Sequence, residues 1–92
     1  MPKVRIHAFV SGIVQGINFR SNTRRVAQSL GVTGWVKNLP NGRVEVVAEG
    51  EEEKIEGLVN FLKRGPFLAR IDKIELVREG YKGEFQNFDI LH

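Results

Sequence analysis

The spacing of apolar residues along this chain switches between two and three-to-four, and the order of the switches leaves few folds open. Val4, Ile6, Ala8 and Val10 alternate, which puts them on one face of a strand over residues 3–10, with His7 and Phe9 on the other. From Phe19 the period lengthens. Phe19, Thr23, Val26, Ala27 and Leu30 form one stripe of a helix, and Gly31 follows where a left-handed residue closes such a helix, so a helix is predicted over residues 20–30. Residues 33–49 read as a hairpin, turning at Pro40 and Asn41-Gly42 and carrying Val44, Val46 and Ala48 on one face of its second strand. A second helix is predicted over 51–65, with Ile55, Leu58, Val59 and Leu62 as its stripe. Glu51 to Glu53 suit its positive end, Lys63 and Arg64 its negative end, and Pro66 stops it. Residues 70–79 and 85–91 read as a fourth strand and a short fifth.

Strand, helix, strand, strand, helix, strand is a pair of split βαβ units. It predicts an α+β ferredoxin-like sandwich: an antiparallel sheet of order 4-1-3-2, two helices on one face and a short added fifth strand. Right-handed crossovers make strands 1 and 2 point the same way with strand 3 between them. The loop after strand 1 and the end of strand 2 then lie at the same edge of the sheet. Residues 1–92 are expected to form one domain, since a chain of 92 residues buries roughly 65% of its unfolded surface without needing covalent staples. Cysteine is absent, which removes disulfides, iron–sulfur clusters, thiol nucleophiles and cysteine zinc sites. The two histidines, His7 and His92, stand at opposite ends of the sequence, so no metal is expected. The first ten residues are too short and polar for a signal peptide, and no stretch could span a membrane, so a cytoplasmic location is expected. The formal charge of +3 favours anionic partners.

The stretch Val14–Arg20, VQGINFR, leaves the first strand and enters the first helix. Gly16 reaches backbone angles closed to other residues. The amides of Gln15, Gly16, Ile17, Asn18, Phe19 and Arg20 can then point inward as an anion nest, reinforced by the positive end of the helix. Arg20 adds a planar fork suited to two phosphate oxygens. It is not a Walker loop, because the Lys-Ser/Thr ending is missing. A glycine at such a junction also serves simply as a turn. Asn38, at the end of the second strand, stands at the same edge, about 10 Å away across two strand spacings. An amide there can accept from a water and donate to a phosphate oxygen without repelling an anion. By itself Asn38 reads as a turn residue like Asn41.

Together the two stretches carry a resemblance. VSGIVQGINFR, from Val10 to Arg20, resembles the first signature of the acylphosphatases, and GWVKNLPNGRVEVVAEG, from Gly34 to Gly50, resembles their second. Ile17 stands where that family usually has valine, a change that leaves the amides undisturbed. The resemblance implies hydrolysis of acyl phosphates to carboxylate and inorganic phosphate, with no cofactor and no metal. It implies that Arg20 binds the phosphate, that Asn38 orients the attacking water, and that the loop from Gln15 to Phe19 is the cradle. The alternatives are a ferredoxin-like RNA-binding module and an anion sensor without turnover. For RNA the nearest aromatic motif is Arg64–Ile71, RGPFLARI, which has Pro66 where an aromatic should stack and lies at a helix end. A small acyl phosphate as partner, with neither membrane nor nucleic acid, is the expectation that remains.

Overall fold

The fold is described from a computed structural model over residues 2–92; Met1, where the expected domain begins, lies outside the described residues. The elements run β1 (Lys3–Ile13), α1 (Phe19–Leu30), β2 (Thr33–Asn38), β3 (Val44–Glu51), α2 (Glu52–Arg64), β4 (Arg70–Glu79) and β5 (Phe88–Leu91). The alternation seen in the sequence sorts the sheet into two faces. Val4, Ile6, Ala8 and Val10 of β1, Val36 of β2, and Val44, Val46 and Ala48 of β3 are all buried on one of them. Both helices cover that face: α1 inserts Phe19 and Ala27, and α2 inserts Ile55, Leu58, Phe61 and Leu62. Burying one such valine, leucine or phenylalanine side chain is worth about 1.5–3 kcal/mol, so this layer holds the helices to the sheet.

The strands lie in the order β4-β1-β3-β2-β5. β1 is antiparallel to both β3 and β4, and β2 is antiparallel to β3, as the βαββαβ order requires. The expectation of a wholly antiparallel sheet needs correcting. β5 pairs parallel to β2, from Gly34 opposite Phe88 to Lys37 opposite Leu91, so the sheet is mixed. The reason is the route of the chain. β4 runs opposite to β1, and the next segment must cross from one edge of the sheet to the other before turning back. Four strand spacings are roughly 19 Å, and the eight residues 80–87 can span about 26 Å when extended.

That crossing lies on the face without helices and is pinned by one carboxylate. Glu49 of β3 is buried there and accepts from the backbone amides of Lys82 (2.7 Å), Gly83 (3.2 Å) and Glu84 (3.1 Å). Arg5 of β1 donates to Glu49 at 3.3 Å and to Glu79 at 2.9 Å, and its guanidinium lies 5.2 Å from the centre of the Phe85 ring. Burial alone would push the Glu49 carboxyl up, but the three amides and Arg5 outweigh it and hold the group below its ordinary value of 4.5.

At the other end of β1 the register with β4 shifts between Ser11 and Gly12. Gly12 has φ 134°, and a Cβ there would stand 2.0 Å from the carbonyl oxygen of Arg70. Only glycine lets β4 begin this close to β1. The segment between α2 and β4 lies beside the loop that leaves β1: Pro66, Phe67 and Leu68 share a groove with Ile17 and Asn18.

Candidate active site

Val14 to Asn18 connect β1 to α1. Val14 and Phe19 are buried and anchor the two ends, Phe19 with its ring centre 6.3 Å from that of Phe61. Between them Gly16 has φ 77° and Asn18 has φ 64°, while Ile17 keeps a negative φ. This alternation of hand turns successive N–H groups toward one concave side. Asn18 is the N-cap of α1 but makes no side-chain capping bond, and the first helical bond runs from the Asn22 amide to the Asn18 carbonyl at 3.0 Å. The amides of Phe19, Arg20 and Ser21 therefore precede the first helical bond and face no capping side chain. The two helices differ in charge at this end. α2 carries Glu52 and Glu53 in its first turn; α1 carries no acidic residue there. The partial positive charge of α1 is left uncompensated, which favours an incoming anion.

These amides open onto a cavity of about 280 Å³ whose wall includes Gly16, Asn18 and Arg20 on one side and Asn38 on the other. Asn38 reaches it because β1 and β2 are parallel with β3 between them, so both strands end at the same edge. The Asn38 Oδ1 atom is buried and has no hydrogen-bond partner among the described residues. Native interiors rarely leave such an acceptor unpaired, and the exceptions gather at working sites. Arg20 is half-buried, with Nη1 3.5 Å from Nδ1 of His92. A larger hollow of about 400 Å³ lies at the opposite end of the sheet, but Lys3 and Lys54 in its wall are matched by Glu49 and Glu51, so it offers an anion no net positive charge.

The loop and the hairpin are joined directly. Gln15 Nε2 donates to the carbonyl oxygens of Leu39 and Arg43, each at 2.9 Å. Those two residues close the β2–β3 turn, where the Leu39 amide bonds the Arg43 carbonyl at 2.8 Å and the Gly42 amide bonds that of Leu39 at 3.1 Å. Asn38 immediately precedes this turn. One side chain thus fixes the distance between the cradle and the residue facing it.

Of the residues singled out in the sequence, Gly16, Asn18, Phe19, Arg20 and Asn38 share the cavity wall. Gln15 turns its side chain to the hairpin, and Ile17 faces a neighbouring groove. Sequence reasoning missed Ser21, Ile90 and His92, which also line the cavity. Ser21 was legible as the next residue of the first helical turn. Ile90 and His92 arrive only through the parallel pairing of β5, for which the sequence carries no local signal. Among the described residues no group of three or more His, Cys, Asp or Glu side chains stands close enough to hold a metal ion, and no helix is long and apolar enough to cross a membrane.

Comparison with known proteins agrees with this geometry. Residues 6–90 match the family model described as Acylphosphatase. The chain is 49% identical over 88 residues to an acylphosphatase of Geobacter sulfurreducens, covering 96% of this chain and 97% of that relative. Its fold is similar to the crystal structure of acylphosphatase from Bacillus subtilis, with TM-score 0.93, 30% identity and coverage of 97% of this chain and 99% of that one. It is likewise similar to an acylphosphatase structure from Coxiella burnetii, with TM-score 0.91, 38% identity and coverage of 97% and 93%. The family model spans nearly the whole chain, and so does the alignment to each of these relatives: the chain belongs to the acylphosphatase family and is an enzyme that hydrolyses acyl phosphates.

Proposed function

We propose that the cavity at the α1 N-terminus is the active site, with Arg20 and the amides from Gln15 to Arg20 holding the phosphoryl group and Asn38 orienting the attacking water. The carrying observation is the buried, unpartnered Oδ1 of Asn38 in the wall opposite the cradle. A water donating one proton to that oxygen has its lone pair free to face phosphorus.

The chemistry then asks little of side chains. The water oxygen forms a bond to phosphorus while the bond from phosphorus to the acyl oxygen breaks, and the carboxylate leaves with the electron pair. A carboxylate is a good leaving group and needs no general acid. The water's proton passes to a phosphoryl oxygen. Charge stabilisation and in-line positioning supply the rate, and amides with one guanidinium provide both without a covalent intermediate or a metal. The substrates are small acyl phosphates, and inorganic phosphate is the product. Residues 1–92 act as one domain. The reaction belongs in the cytoplasm, because a charged acyl phosphate does not cross a membrane unaided. Nucleic acid is not a partner in this reading: Arg64–Ile71 runs from the end of α2 to the start of β4, an edge strand, whereas stacking modules present aromatics from central strands.

Asn38→Ala tests the assignment. A group used only as the reaction proceeds lowers kcat and leaves ground-state affinity alone. The variant should lose on the order of 10²-fold in kcat for acetyl phosphate, while inorganic phosphate inhibits it at nearly the wild-type constant. A normal kcat with a lowered melting temperature would make Asn38 a turn residue only.

A further inference from the structure

His92 reaches the phosphate cavity through the alternation of β5. Phe88 is buried and Ile90 packs against the core, both on the face that the helices cover. His92 falls on the same face, one step beyond the end of the strand. The parallel register sets its height. Val36 lies opposite Ile90 and Lys37 opposite Leu91, so the next step along both strands brings His92 level with Asn38. The ring lines the cavity and meets the first turn of α1, where its Nδ1 stands 3.5 Å from Nη1 of Arg20. A guanidinium only donates, so in the neutral ring Nδ1 is the acceptor and Nε2 carries the proton. A hydrogen bond of this length is weak and costs little to give up.

We propose that His92 is a further ligand of the phosphoryl group, and that its protonated ring strengthens the hold of the cavity on a tetrahedral dianion. The inference rests on the active-site assignment above. Few charges face the ring. From α1 there is Arg20. On β2, Lys37 points to the opposite face, where its ammonium lies 3.8 Å from Glu45. On β5, Asp89 falls on that opposite face by alternation. Among the described residues no carboxylate lines the cavity. A protonated ring therefore faces only the like charge of Arg20 until an anion comes between them. Imidazolium and guanidinium then both donate to one dianion, and each cation has a partner. Anion and proton favour each other by the same factor, whichever binds first.

The test uses sulfate as a competitive inhibitor of acetyl phosphate hydrolysis, at constant ionic strength. Inorganic phosphate changes its own charge between about pH 5 and pH 8, where imidazole also titrates, whereas sulfate stays a dianion throughout. In wild type the sulfate inhibition constant should tighten at least about fivefold from the alkaline to the acid end of that window, the low end of couplings between sites, since an exposed cation is screened. His92→Gln should remove the trend, and His92→Lys should hold the tighter constant at both ends. His92 is exposed, so the fold does not depend on it. A constant that is flat or weakens in acid, with Arg20→Ala insensitive to sulfate, overturns the role of His92 alone. A trend that persists in His92→Gln overturns it too and points to His7, which lies 2.6 Å from Glu45 on the other face. A kcat that falls in acid in wild type but not in His92→Gln would make the ring a proton acceptor instead. Undiminished sulfate inhibition and full activity of Arg20→Ala overturn the cradle and His92 with it.

Discussion

Arg20 enters the cavity from the first turn of α1, beside amides that already favour an anion. What it adds is shape: two parallel N–H donors that match two phosphate oxygens, which an ammonium group cannot reproduce. Arg20→Ala should lose at least on the order of 10²-fold in kcat/KM, and Arg20→Lys should recover little of it. Steady-state kinetics with acetyl phosphate decide the point, because a lysine variant of wild-type efficiency would mean that charge alone suffices. That Arg20 and Asn38 share one edge was legible in the sequence, because the order of elements brings the loop after β1 and the end of β2 together; the roles proposed for them came from the resemblance of the two motifs. The left-handed Asn18 was less so. Asparagine tolerates that conformation, but nothing in INFR says that residue 18 adopts it and residue 17 does not. The burial of the Asn38 oxygen was equally hidden, because burial of a strand-end residue depends on which loops close over it.

Between elements, the strongest tie at the site is the one from the loop after β1 to the β2–β3 turn. Gln15 reaches two carbonyls at once, and an amide is the only uncharged side chain that offers two donors from one atom. Gln15→Ala removes both donors, leaves each carbonyl only its bond within the turn, and lets the hairpin drift from the cradle. We expect kcat to fall about tenfold or more, as small misplacements of a positioning group do, while phosphate inhibition changes little. Gln15→Glu should be worse, because its carboxylate would face two carbonyl oxygens. A variant in which melting temperature drops and kcat does not would limit Gln15 to stability. Some element boundaries were read closely, as β4 was expected over 70–79 and runs Arg70–Glu79, and α1 begins one residue earlier than expected, at Phe19; β1 runs three residues beyond its expected end, to Ile13, and β5 starts three residues late, at Phe88. Periodicity and the stop signals at Gly31 and Pro66 carry that information. The direction of β5 was not legible, because four residues beside any strand can pair either way, and the choice was made by the route of residues 80–87.

For the molecule as a whole, that route depends on Glu49, an acidic residue closing the apolar run VVAE of β3. Its carboxyl sits below 4.5 in the folded chain, so the unfolded chain binds the proton more readily. The stability it contributes is present above the unfolded value and is lost as pH falls through the folded one. Glu49→Gln should therefore unfold at lower denaturant than wild type at pH 7, and the gap should close on acidification below about pH 4. Equal gaps at pH 7 and pH 3 would show that the charge is not what pins the crossing. The register of the sheet has a consequence in time rather than in energy. Arg5 of β1 pairs with Glu79 of β4, and Gly12 lies against Arg70, so β1 is flanked on one side by a strand far from it in sequence. Loop closure over such distances is slow, and folds dominated by it form in milliseconds to seconds. The cradle is thus made before the residues that complete its walls, Asn38, Ile90 and His92. A phosphate ion meeting the emerging chain finds the amides but not the shape, and the capacity to hold an anion arrives only when nearly the whole chain is there to enforce it.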